Sequence, residues 1–188
     1  MKKQRLLLPV LALLGTVAVL VTSAAFAAAG AEPRKRAHPK VPVRIEPKKR
    51  HVNPLRVKRL RRTALRWQSV MGVRRSFLAA PLHTPRALRY WRRQVRIVSR
   101  QAANPPHKRG WQCIHRFEGS WSDSNDPYWG GLQMDRSFMR SYAPAFLLRR
   151  GWANRWTPLE QMWVAERAHR SGRGYYPWPN TARYCGLI

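Results

Sequence analysis

The residue whose type and setting most suggest chemistry is Glu118, in the stretch Trp111-Gln-Cys-Ile-His-Arg-Phe-Glu118-Gly-Ser-Trp121. Read as a helix, Trp111, Ile114 and Glu118 follow an i, i+3, i+7 spacing, so the one acid of the segment falls on an apolar stripe. A carboxyl in such a place is desolvated, which raises its pKa and keeps it protonated near neutrality, as a proton donor to a leaving oxygen must be. Gly119 should end the helix and leave Glu118 in its last turn, at the rim of a cleft. The same spacing also suits a Glu paired with an Arg on a packed helix.

Around Glu118 lie candidates for ligand contact. Trp121, Tyr128 and Trp129 offer the flat apolar rings on which sugars stack, and Gln133 offers an amide. Asp126 and Asp123 could supply a second carboxylate. Asp126 before Pro127 is also a natural turn residue, and Asp135 ahead of Arg136-Ser137-Phe138 is a natural helix N-cap. Trp129 and Trp163 could equally serve the core. His115 and His169 are far apart in sequence and lack partner ligands, so neither a metal nor a cofactor is expected.

Taken in order, Cys113 through Glu118 to Trp121, then Gly130-Gly131-Leu132-Gln133, then Glu166-Arg167, then Pro177-Trp178-Pro179 and Cys185 resemble the transglycosylase-like domain of the resuscitation-promoting factors, in the lysozyme superfamily. The resemblance covers residues 111–188. It implies an α+β fold, a lysozyme-like domain of short helices around a small β-hairpin. It also implies peptidoglycan glycan strands as substrate, cut at the β-1,4 bond between N-acetylmuramic acid and N-acetylglucosamine, with Glu118 as the single catalytic acid. The family places its Cys directly before the Glu, whereas Cys113 precedes Glu118 by five positions. On a helix those offsets differ by only about 40°. The loop after Glu118 is also shorter than in the family. Animal lysozymes carry a second acid two residues before a comparable Gly-x-Leu-Gln, and Tyr128 stands there in this chain. With one carboxylate the expected reaction is lytic transglycosylation, in which the Glu acts first as acid and then as base. The alternatives are a muramidase using Asp126 or Asp123, and a wall-binding module without turnover.

The elements that must position these residues lie at one end of a divided chain. Residues 1–110 carry 27 Lys/Arg against Glu32 and Glu46 alone, while residues 111–188 carry 10 Arg against six acids, seven of the nine Trp and both Cys. Thr157-Pro158-Leu159-Glu160 is a capping box that starts a helix running to about Ser171, with Leu159, Met162, Trp163 and Val164 as its packing face and Glu166 paired to Arg170 one turn on.

Residues 1–31 read as an export signal or an N-terminal anchor: Lys2, Lys3 and Arg5, an apolar run from Leu6, and Ala25-Phe26-Ala27 as a small-x-small cleavage site. Export places the protein outside the cell, secreted or attached to the wall or cell surface. In that oxidising compartment an even pair of cysteines is expected to form a disulfide, Cys113 to Cys185.

Residues 32–110 read as a disordered basic tether broken by Pro33, Pro39, Pro42, Pro47 and Pro54, with two helix-prone pieces at 60–73 and 87–99. Such a segment would draw the protein to anionic cell-wall polymers or a membrane surface. It carries no nucleic-acid fold signature, so no specific nucleic acid is expected.

Overall fold

The computed structural model describes residues 51–188, all within one compact unit. The export signal and the tether up to residue 50 lie outside the described residues.

Two long helices open the described chain, α1 (Pro54–Met71) and α2 (Pro85–Ala102). Each begins with Pro at its first position, behind a side-chain cap: Asn53 accepts from the Leu55 N–H and Thr84 from the Ala87 N–H. The expected disorder of this region is therefore corrected, as is the extent of the two helical pieces. The few apolar residues among the many Arg form a buried stripe on each helix: Val57, Ala64, Val70 and Met71 on α1, and Ala87, Trp91, Val98 and Ala102 on α2. That burial offsets the ordering entropy that a solvated Arg-rich segment could not.

The two helices lie side by side and run the same way. The Arg61 guanidinium stands over the Trp91 ring near their starts, and Ser76 in the linker bonds both Gln68 and Gln94 further along. Residues 73–84 therefore travel back along the pair before α2 begins.

Six shorter segments follow. They are α3 (Lys108–Glu118), α4 (Arg136–Tyr142), α5 (Ala145–Leu148), a 3₁₀ turn (Ala153–Arg155), α6 (Pro158–Ala168) extended by one π-helical turn (His169–Arg173), and α7 (Pro179–Tyr184). α6 is the central strut. Glu160, Gln161 and Glu166 are buried on it together with Met162, Trp163 and Val164. The Trp163 indole donates to the Ala102 carbonyl at 2.8 Å, and Arg167 and Arg170 donate to the carbonyls of Ser69 and Met71, so α6 clamps the ends of α1 and α2.

The fold class is a second correction. Among the described residues there is no β-strand, so the domain is helical and not α+β. The expected hairpin shrinks to one antiparallel bridge, with Trp129 and Met134 exchanging both backbone hydrogen bonds at 3.1 and 3.0 Å. The flanks explain why pairing stops there. Pro127 lies on one side, and on the other Asp135 caps α4 immediately after Met134, its carboxylate accepting from the Phe138 N–H at 2.7 Å.

Glu166 is the third correction. Instead of pairing with the Arg170 side chain it is fully buried, and its carboxylate accepts from the His107 N–H at 2.7 Å and the Trp111 indole at 2.9 Å. Arg170 instead reaches the Glu166 backbone carbonyl. Glu166 therefore fastens the start of α3 to α6.

Candidate active-site groove

Glu118 is the last residue of α3, and Gly119 leaves the helix with φ 138°, a conformation that favours glycine. Trp111 and Ile114, earlier on the same face, are fully buried. The apolar stripe thus anchors α3 in the core and carries Glu118, half-buried, to the surface at its end. There its Oε1 accepts a hydrogen bond of 2.8 Å from the Thr181 hydroxyl, 63 residues away on α7.

Two features hold α7 in that position. Cys113 of α3 and Cys185, the C-cap of α7, form a disulfide with Cα atoms 6.0 Å apart. Between Gly172 and Pro179 the Tyr175 hydroxyl packs against Gly110, so closely that a Cβ on Gly110 would lie 2.6 Å from it.

Glu118 opens onto a cavity of about 270 Å3 lined by Tyr128, Gln133, Pro177, Trp178, Pro179, Asn180 and Thr181. A second cavity of about 200 Å3 shares Tyr128, Gln133, Pro177 and Trp178 and continues past Asp135 and Ser137 to Arg173. The shared walls make one groove, with a carboxyl near one end and a guanidinium at the other. Trp178 is buried as a wall, its indole donating to the Leu132 carbonyl at 2.6 Å, and Tyr128 stands 49% exposed at the mouth.

A larger cavity of about 520 Å3 lies between α1, α2 and α6. Its walls, which include Gln68, Gln94, Gln101, Asn104 and Arg170, carry no carboxylate, hydroxyl, thiol or imidazole. Another cavity, of about 420 Å3 beside the start of α3, is lined by His107, Lys108 and Tyr175 among others. Of these cavities only the groove is lined by carboxyl groups, those of Glu118 and Asp135.

Of the five residues expected to contact a ligand, the groove gathers Tyr128 and Gln133. Trp121 is stacked on the His115 ring at 3.9 Å, where it covers Gly131 so tightly that a Cβ there would sit 2.6 Å from it. Trp129 is 5% exposed, with Trp152 beside it and the Arg136 guanidinium 5.1 Å from its centroid, so it is a core residue. Asp126 is exposed and ion-paired with Arg136 at 3.0 Å, away from the groove lining.

Asp123 is closer to Glu118. Its Oδ2 accepts from the Gln133 amide at 2.7 Å, and a Cβ on Gly119 would lie 3.5 Å from both groups, so this pair abuts the turn that follows Glu118. Asp135 is committed to its cap. Burial opposes its charge, but the hydrogen bonds from Phe138 and Ser137 outweigh it and hold its carboxyl below the ordinary range.

Residue-by-residue reading of the sequence missed Thr181, Asn180 and Gln161. Gln161 is buried on α6 and accepts from the Gly131 N–H while donating to the carbonyls of Trp121 and Ala153, which fixes the Gly-Gly turn and the Trp121 loop to the central helix. A buried Gln in the otherwise apolar run Gln-Met-Trp-Val was the available signal for it. Thr181 carried no such signal.

Among the described residues no cluster of three or more His, Cys, Asp or Glu is placed to hold a metal ion, and no helix is long and apolar enough to cross a membrane. Set against known protein families, curated proteins and solved structures, the chain finds no match.

Proposed function

We propose that this protein is an exported peptidoglycan-cleaving enzyme, a lytic transglycosylase acting on the β-1,4 bond between N-acetylmuramic acid and N-acetylglucosamine. The observation that carries the reading is the isolation of Glu118. It is the one carboxylate lining the Glu118–Thr181 part of the groove, while Asp126 is paired with Arg136 and Asp135 caps α4. In this reading Glu118 protonates the glycosidic oxygen as the bond to the muramic C1 breaks. The resulting carboxylate then takes the proton from the muramic 6-hydroxyl as that oxygen closes on C1, leaving a 1,6-anhydro end. Thr181 holds the carboxyl oxygen in place through both steps. The flat walls of Tyr128, Pro177 and Trp178 suit sugar rings. The disulfide fits an oxidising, extracellular setting.

A second reading, hydrolysis by a muramidase, is favoured by one observation: Asp123 stands against the turn after Glu118. End-group analysis separates the two. Mass spectrometry of muropeptides released from purified sacculi by the full chain should find anhydromuramic ends, and Asp123→Asn should leave them in place. Reducing ends that vanish in Asp123→Asn would instead assign hydrolysis with Asp123 as the second carboxylate.

A further inference from the structure

A dense cluster of positive charge lies far from Glu118 in sequence, around a concavity of about 330 Å3 on α1. Its lining is Lys58, Arg61, Arg62 and Arg66 of α1, Arg75 of the returning linker, and one apolar residue, Leu65. No acid occurs in the sequence between Glu46 and Glu118. One of the five cations has a carboxylate partner: Arg66 is bonded to Glu160, which is buried and shared with Arg150. Arg61 lies over Trp91.

Positions 58, 61, 62 and 66 are neighbours at helical i+3 and i+4 spacing. Like charges so placed oppose each other and destabilise a helix, so packing alone gives no reason to gather them. Arg75 comes from a different segment and closes the basin from the side. The arrangement becomes favourable once an anion spans it, and the guanidinium fork matches the oxygens of a phosphate diester. Further exposed arginines on α2, among them Arg89, Arg93 and Arg96, extend the positive field that would draw such a partner in.

We infer that this basin is a binding site for a flexible phosphodiester polymer without bases, of the polyol-phosphate kind found outside cells. Two observations favour that partner over others. No aromatic ring lines the basin for a base to stack on: Trp91 is buried beneath Arg61, and the Phe146 ring is taken up by the Arg66 guanidinium 5.9 Å away. The lining holds one apolar residue, Leu65, and the exposed Leu55 and Phe77 stand at its margins on different segments, so the basin itself offers no continuous apolar face to a lipid surface. The inference stands on α1 and the linker and not on Glu118, and its choice of an extracellular polymer rests on the proposed export.

The test is binding of poly(glycerol phosphate) to the full chain, measured by calorimetry from 50 to 300 mM salt (about the range over which counterion release is resolved). Replacing Lys58, Arg62 and Arg75 with Gln spares Arg61 and Arg66, which have partners. The control is the triple Arg89→Gln, Arg93→Gln and Arg96→Gln on α2, which removes equal charge. The basin triple should weaken binding about tenfold or more and flatten its salt dependence, while the control loses about threefold or less. Arg75→Gln alone, on the linker, should show part of the same loss and guards against a folding defect on α1. Glu118→Gln should bind the polymer as the parent chain does. Equal losses from the two triples would reduce the site to a general field. Absence of binding to the parent chain would overturn the inference, as would equal or tighter binding of an oligonucleotide or of anionic vesicles.

Discussion

The contact between Thr181 and Glu118 is the residue-scale feature on which the groove turns. A hydroxyl that donates to one carboxyl oxygen fixes the rotamer of the acid and leaves the other oxygen for a ligand. Thr181→Val keeps the shape and removes the donor, so kcat for the proposed muropeptide release should fall about tenfold, as expected for losing one hydrogen bond, with KM little changed. A change confined to KM would make Thr181 a binding residue. Local features were legible in the sequence: the Asp135 cap and the Thr157–Glu160 capping box depend only on residues three apart, and both are present. Thr181 was not legible, because a contact between residues 118 and 181 has no local pattern. Trp129 stayed open between ligand contact and core for a related reason, since an aromatic beside a turn looks the same in sequence whichever it faces; its burial places it in the core.

At the scale of elements, α6 and the disulfide carry the load. The Cys113–Cys185 bridge closes a loop of 72 residues between α3 and the end of α7, which in the chain-entropy model contributes about 4 kcal/mol. Replacing both cysteines with Ser should lower unfolding free energy by roughly that amount in urea titration, and should loosen Thr181 from Glu118 as well. Glu160 is the second anchor. Burial disfavours its charge, but hydrogen bonds from Arg150, the Thr157 N–H and Arg66 outweigh that and hold its carboxyl below the ordinary range. Its contribution is therefore complete above that range and is lost as pH falls through it.

His169, in the π-turn after α6, works in the other charge state. Burial, with the nearby His107 second and against the pull of Glu166, holds its imidazole below the ordinary value of 6.5. The unfolded chain then binds the proton more readily, so stability is full above about pH 6.5 and declines as pH falls below it. Melting temperature recorded from pH 7.5 down to 5 (about the titration range of histidine) should show that decline, and His169→Gln should flatten it. The cysteine pair was readable from an even count and an export signal, whereas the environment of His169 arises from the stacking of His107, at 4.0 Å, and could not be read.

For the whole molecule, the main revision is where the folded unit begins. Net charge and proline separate residues 32–110 from the rest in composition, yet α1 and α2 pack against α6 through Trp163, Arg167 and Arg170. The sequence shows apolar residues on each basic helix but not what covers them, because α1 and α2 pack chiefly on each other and their ends meet α6 only 98 and 61 residues further along the chain. A fragment of residues 111–188 would therefore uncover Trp163 and the ends of the capping network. It should melt well below the full chain and bind a hydrophobic dye, and a fragment that melted like the full chain would show that the basic helices are dispensable. The same assembly sets the Glu118 groove and the cationic basin on different elements of one body, so the proposed cleavage and the proposed polyanion binding can be altered independently.

Whether Glu118 performs the proposed acid–base cleavage of peptidoglycan is read from the initial rate at which the full chain releases soluble muropeptides from purified sacculi, beside the same chain carrying Glu118→Gln. The parent should release them with anhydromuramic ends and the variant should be slower by about a hundredfold or more, the range that general acid–base catalysis supplies. Equal release by both chains, or none by either, would contradict the assignment.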